Sequence, residues 1–236
     1  MNYLWNHYIK DNIVIFNIMK LSYAICVCNE SRDLFSLVSF LLKVKDKEDE
    51  INILIDTLHV TENVKNVIEY FGDKIITCER DFDGNFSEHR NFHLSKCSGD
   101  YIFIIDPDEM PKENLIINIK KMIHDSGAEL VMVPRINIHP GFTQEWLEKC
   151  NFKTNEVDWI NWPDYISRVF KNDPYKIKYS NELHENIIGT DKKVALNADP
   201  SIAVWHIKSV EKQDNRWDVS GNFKVPEYDN LYDTLM

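Results

Sequence analysis

The sequence predicts an α/β fold: a Rossmann-like, mostly parallel sheet flanked by helices, followed by a smaller half of mixed character. Three observations predict it. Short apolar strands alternate with amphipathic helical segments from about residue 21 to residue 134. Several of those strands end in an acid or in an Asn-Glu pair. Past Pro134 the alternation stops and aromatics take over, among them Phe142, Trp146, Phe152, Trp159, Trp162 and Tyr165. With 236 residues, 44% of them hydrophobic, the chain can bury the core of one large domain. No repeat, low-complexity tract or Gly/Ser linker divides it. Residues 1–20 read as an N-terminal extension, 21–134 and 135–220 as two halves of one domain, and 221–236 as a C-terminal tail.

Ser22 to Cys28 reads as a buried strand. Leu34, Leu37, Val38, Leu41 and Leu42 then fall at helical spacing over residues 31–44, with Ser31 as the expected N-cap. Asn52 to Asp56 is a second apolar strand. A helix over Thr61 to Phe71 follows, ended by Gly72. Lys74 to Cys78 reads as the third strand, Phe86 to Cys97 as a helix stopped by Gly99, and Tyr101 to Ile105 as the fourth strand. Asn114 to His124 is helical in pattern and Glu129 to Pro134 is a fifth strand. In the second half, Tyr165 to Phe170 and Ala203 to Ile207 read as short strands.

The net charge of −11 argues against a surface that tracks nucleic-acid phosphates. The five cysteines, Cys26, Cys28, Cys78, Cys97 and Cys150, are odd in number and make no CxxC pair, which fits reduced thiols in a cytoplasmic protein. No apolar run reaches the ~18 residues a membrane span requires. The first 20 residues lack the basic start and small-residue cleavage site of a signal peptide.

The densest chemical signal is Tyr101-Ile102-Phe103-Ile104-Ile105-Asp106-Pro107-Asp108-Glu109. Clustered carboxylates at a strand end repel one another unless a cation lies between them, which points to a divalent metal, Mn2+ or Mg2+. In an open parallel sheet, ligands bind outside the carboxyl ends of the strands. Asn29, Glu30, Asp56, Asp106 and Asp108 would therefore converge on one crevice. The sequence has neither GxGxxG nor GxxxxGK[ST], so phosphates would be held by metal and side chains rather than by a glycine-rich loop.

Four stretches in order resemble family-2 glycosyltransferases of the GT-A fold. They are Ala24-Ile25-Cys26-Val27-Cys28-Asn29-Glu30, Ile53-Leu54-Ile55-Asp56-Thr57, Phe86-Ser87-Glu88-His89-Arg90-Asn91, and Gly99 through Glu109. In the second half, Ser167-Arg168-Val169-Phe170-Lys171-Asn172 with Leu183-His184-Glu185 resembles a stretch of small bacterial and viral members, and Ala203-Val204-Trp205-His206 a later strand ending in His. The glycine-serine turn often found after the Asp56 strand is replaced by Thr57-Leu58-His59-Val60-Thr61.

The resemblance implies transfer of a sugar from a nucleotide-diphospho-sugar to a glycan, lipid-linked or protein acceptor, metal-dependent and inverting. It makes residues 21–134 the donor-binding half and 135–220 the acceptor-binding half. Asn29, Glu30, Asp56, Arg90 and Asp106 would contact the donor. Asp106, Asp108 and His206 would hold the metal. Glu185 would be the catalytic base with Glu109 as second choice, and His184 would position acceptor or phosphate. Trp159 and Trp162 would be either an acceptor wall or core packing. The rival readings are a non-catalytic nucleotide-sugar-binding protein and another metal-dependent phosphate-handling enzyme. Phosphatases with an Asp-x-Asp nucleophile carry it on their first strand, whereas here the acids follow the fourth.

Overall fold

The structure is a computed structural model that describes residues 19–182 and 185–214. Strands β1 (Leu21–Val27), β2 (Glu50–Asp56) and β3 (Ile76–Arg80) alternate with helices α1 (Ser31–Val44), α2 (Glu62–Phe71) and α3 (Phe86–Leu94). Then come β4 (Tyr101–Ile104), β5 (Glu109–Pro111), α4 (Glu113–Ser126), β6 (Leu130–Ile138), α5 (Gln144–Cys150) and β7 (Ile160–Lys171). The chain continues through β8 (Lys178–Ser180), β9 (Asn186–Ile188), β10 (Lys193–Ala195), β11 (Val204–Ile207) and α6 (Val210–Asp214). The main sheet runs β3-β2-β1-β4-β7-β6-β11-β5, and β10 also pairs with β6. Strand β7 is antiparallel to both β4 and β6. The two halves expected from the sequence thus share one sheet.

Both faces of the sheet are covered, which is why its central strands are apolar runs rather than alternating ones. Along β1, Leu21, Tyr23, Ile25 and Val27 enter a core with Leu34, Leu37, Val38 and Leu41 of α1 and Leu115, Ile119 and Ile123 of α4. Ala24 faces the other way, toward Leu94, Ile102, Ile104, Phe170 and Tyr179. Each fully buried aliphatic side chain of this kind contributes roughly 1.5–3 kcal/mol. Among the described residues no helix is long and apolar enough to cross a membrane.

Several boundaries differ from the sequence reading. Helix α1 starts at Ser31, so Glu30 rather than Ser31 occupies the N-cap position. Thr61 caps α2 through its side chain, which accepts from Val64 N, and Gly72 ends that helix at φ 52°. Strand β3 begins two residues later than expected, after a 3-10 turn over Gly72–Lys74. Strand β6 runs past Pro134 to Ile138. On its outer edge β6 pairs with β10 through Met132 and with β11 from Arg135 onward. Pro134 lies in the break between the two, where a missing N–H costs no ladder bond.

At the end of the sheet away from the acidic strand ends, Glu50 ties three segments together. Its carboxylate accepts from Ser22 Oγ and Ser98 N at 2.7 Å each and from Lys20 Nζ at 2.6 Å. Gly99 passes so close that a Cβ would lie 2.6 Å from Ser22 N, so the crossing requires glycine. Burial alone would raise the Glu50 pKa, but the lysine and the Ser98 and Ser22 donors outweigh it and bring it to about 2 from an ordinary 4.5. A depressed carboxylate stabilises the fold above its unfolded pKa, and that contribution is lost as pH falls through the folded value. Glu50→Gln is therefore expected to lose about 2–3 kcal/mol at neutral pH and to lack the wild type's stability decline between about pH 4.5 and 2, read by urea unfolding across pH.

Candidate active site

A cavity of about 680 Å³ opens at the carboxyl ends of β1, β2, β4, β6 and β11. The strands deliver its walls in order: Cys26 and Cys28 from β1 and its end, Asp56 from β2, Asp106 and Asp108 after β4, and His206 from β11. The antiparallel β7 adds Asp164 and Arg168, the latter at a register shift where Val131 and Met132 of β6 face Val169 and Ser167. Burial pushes the Cys26 thiol up to about 12, which leaves it a neutral wall residue.

Asp106 is the centre of a buried ion network. Its Oδ1 accepts from Arg90 Nη2 at 3.0 Å and its Oδ2 from Arg168 Nη2 at 2.7 Å. Burial would raise the carboxyl pKa, but Arg168 and then Arg90 hold it well below the usual range. Arg168 also pairs with Glu109, and Arg135 reaches the same Glu109 oxygen at 3.2 Å. Arg90 bonds Glu185 Oε1 through Nε at 2.7 Å and stands 5.6 Å from the centre of the Tyr179 ring. Two guanidinium nitrogens in this buried network, Arg90 Nη1 and Arg168 Nε, have no acceptor among the described residues. Buried donors of that kind favour an anionic ligand.

Asp108 faces a different set. Its Oδ2 lies 3.0 Å from Lys212 Nζ and 3.7 Å from His206 Nε2. Burial again raises its pKa, and Lys212 followed by His206 more than offsets that, leaving it well below the usual range. The His206 tautomer follows from its neighbours. Asn137 Nδ2 donates to Asp164 Oδ2 at 2.9 Å, so Asn137 Oδ1 is the atom 2.8 Å from His206 Nδ1. Nδ1 therefore donates to Asn137, and Nε2 is the ring nitrogen that faces Asp108, as donor when protonated and as a ligand atom when not. A carboxylate oxygen and an imidazole nitrogen at this separation suit a shared divalent ion such as Mn2+ or Mg2+. Among the described residues no three His, Cys, Asp or Glu side chains form a complete cage. Both oxygens of Asp106 are directed at guanidiniums.

The other expected site residues fall into three groups. Asp56 lines the cavity and also fixes the turn after β2, with Oδ1 accepting from Leu58 N and Phe82 N at 3.1 Å each. Its Oδ2 lies 2.5 Å from His59 Nδ1. Glu30 lines the cavity while its Oε2 accepts from Cys28 N and Asn29 N. Glu185 lines it as well, tethered to Arg90. Asn29 and Glu109 are not among the lining residues. Glu109 is 1% exposed and gripped by two arginines, with no oxygen turned to an acceptor. His184 lies outside the described residues. Trp159 and Trp162 pack edge-to-face on each other, rings 5.3 Å apart, away from the cavity lining.

Sequence reasoning missed Arg135, Asn137, Asp164, Arg168, Lys208 and Lys212, all of which line the cavity. Some signal existed. Arg135, Asn137 and His139 alternate along β6 and just past its end, which puts three polar groups on one face. Asp164 accepts from Arg135 Nη2 at 2.6 Å; burial raises its pKa, but Arg135 more than offsets that and holds it below the usual range. The lysines carried no pattern, because they follow the last strand on a segment whose path is set by tertiary contacts.

The fold is that of GT-A glycosyltransferases. The solved S. aureus TarS fragment 1–349 in complex with UDP-GlcNAc superposes with a TM-score of 0.55 at 14% identity, over 80% of this chain and 59% of that one. The same fragment with UDP gives 0.54 at 13% identity, over 83% and 62%. The sequence model of glycosyl transferase family 2 matches residues 22–189, and the chain belongs to that family. Glycosyltransferase GlyG of Streptococcus pneumoniae serotype 4 (strain ATCC BAA-334 / TIGR4) is 25% identical over 115 residues, 48% of this chain. The chain spans 38% of GlyG and about three fifths of the TarS fragment.

Proposed function

We propose that this chain transfers a sugar, a hexose or a related residue, from a nucleotide-diphospho-sugar to an acceptor hydroxyl, with inversion and with help from Mn2+ or Mg2+. The observation that carries the reading is the Asp106-Pro107-Asp108 turn at the end of β4, with Asp108 and His206 side by side in the cavity. The TarS complex with UDP-GlcNAc supports a donor of this class for the shared fold. Asp108 and His206 would hold the metal. The chemistry it supplies there is neutralisation of charge on the departing diphosphate. Asp56, at the far wall, suits the nucleoside. Arg90, with its unpaired Nη1, suits the donor phosphates, and Asp106 keeps that guanidinium in place.

Inverting transfer needs a carboxylate that takes the acceptor proton as the acceptor oxygen bonds the anomeric carbon and the bond to the diphosphate breaks. Glu185 is the base in this reading. Glu185→Gln is expected to cut turnover by about 100-fold or more while nucleoside diphosphate still binds. Asp164 is the other carboxylate on the acceptor-half wall, and the same loss in Asp164→Asn with Glu185→Gln unaffected would transfer the role. The glycan, lipid-linked or protein acceptor would enter over the second half, past Phe152 and Asn161.

The functional reading is tested by thermal shift against nucleotide sugars with and without Mn2+. A ligand that binds only the folded state raises Tm with its saturation. A shift with one donor that grows with Mn2+ is expected; no shift with any donor would sink the reading.

A further inference from the structure

Each arginine of the cavity already pairs with two carboxylates, Arg90 with Asp106 and Glu185, Arg168 with Asp106 and Glu109, Arg135 with Asp164 and Glu109, which leaves little guanidinium charge beyond Arg90 Nη1 for a donor. A diphosphate leaving group brings more negative charge into the same space. The remaining lysines of the lining, Lys208 and Lys212, come from the single segment that leaves β11 and forms α6. Both are buried, at 6% and 7% exposure.

That segment is held against the cavity by specific contacts. Lys208 N donates to Ile138 O at 3.0 Å, at the end of β6. Trp146 Nε1 of α5 donates to Asp214 Oδ1 at 3.0 Å, and Val210 packs on the Trp146–Leu147 cluster. These contacts position Lys212 so that its ammonium rests on Asp108 Oδ2, the oxygen shared with His206. A metal ion held by Asp108 and His206 would have to occupy the same neighbourhood. Two cations cannot share one carboxylate oxygen at that distance without repulsion, and a buried ammonium needs an anionic partner.

On the functional reading above, we propose that Lys212 is an exchangeable cation of the donor site: it neutralises Asp108 before the donor arrives, yields that position to the metal, and turns its ammonium to the donor diphosphate. Lys212 is thus a donor-contacting residue and at the same time a brake on metal binding without donor. The diphosphate supplies the anion that the lysine gives up. The metal and the donor therefore bind together more tightly than either does alone.

The test uses the full chain as wild type, Lys212→Ala and Lys212→Arg. Free Mn2+ is titrated by electron paramagnetic resonance without nucleotide. Nucleoside diphosphates (UDP, GDP, CDP and dTDP) are titrated calorimetrically in saturating Mn2+. Lys212→Ala is expected to bind Mn2+ about tenfold tighter without nucleotide and the preferred nucleoside diphosphate about tenfold more weakly in Mn2+, with Lys212→Arg recovering most of the nucleotide affinity. Should Lys212→Ala unfold, Lys212→Met keeps the buried stem and reads out the same two constants. If either constant is unchanged, the proposal is overturned while the glycosyltransferase reading stands. If the wild type binds no nucleoside diphosphate in Mn2+, both are overturned.

Discussion

Asp108→Asn is expected to lower sugar transfer by about 100- to 1,000-fold, the loss seen when one group stabilising developing charge is removed. The substitution keeps size and one acceptor oxygen but deletes the charge that both Lys212 and His206 face. A neutral amide is a poor ligand for a hard divalent ion, so Mn2+ binding should fall in parallel with turnover. The buried Lys212 ammonium would lose the Asp108 charge it faces, so stability should fall as well, by about 1–3 kcal/mol. A variant that folds, binds nucleoside diphosphate weakly in Mn2+ and barely turns over fits the assigned role. Unchanged turnover would remove Asp108 from the chemistry. Asp106→Asn separates the two acids: both Asp106 oxygens brace arginines, so its variant should lose stability and donor affinity together.

Much of the cavity wall built from the first half of the chain was legible because it is written locally. Each apolar strand that ends in Asp56 or in Asp106-Pro107-Asp108 carries its own evidence, and an open parallel sheet brings those ends together. Where local pattern is absent, the reading stopped. Strand β5 has three residues and exists by pairing with β11, whose sequence lies about ninety residues away. Glu50 opens β2 as a buried acid, which no periodicity suggests, because its partners Lys20 and Ser98 come from distant segments. Glu109, adjacent to the Asp106-Pro107-Asp108 turn, is in the sequence the second choice for the catalytic base. It is instead buried because Arg135 and Arg168, from β6 and β7, converge on it. The wall built from the second half was harder for the same reason. Asp164 and Arg168 lie on a strand antiparallel to its neighbours, so their arrival at the cavity depends on register rather than on any strand-end rule.

Register also sets the largest stability effect expected in this molecule. Arg168→Met should destabilise the fold by about 3–5 kcal/mol, because it leaves the buried Glu109 and the partly exposed Asp106 with one cation fewer. The Arg168 side chain is 10% exposed and Glu109 1%, so water cannot replace the lost guanidinium. Methionine fills a similar volume, which keeps the cavity term small and isolates the charge effect. Adding Glu109→Gln should recover part of the loss, since the two positions share one contact and their effects are not additive. The pH profile gives an independent reading. Among the charges holding the Asp106 carboxyl low, Arg168 comes first. A depressed carboxyl adds stability above its unfolded pKa, and that contribution drains away on acidification toward the folded value. Arg168→Met shrinks that contribution, so its unfolding free energy should fall less steeply than the wild type's below about pH 4. Parallel wild-type and variant profiles would mean that Arg90 alone holds Asp106, and that the β7 arginine braces Glu109 rather than the turn that presents Asp108.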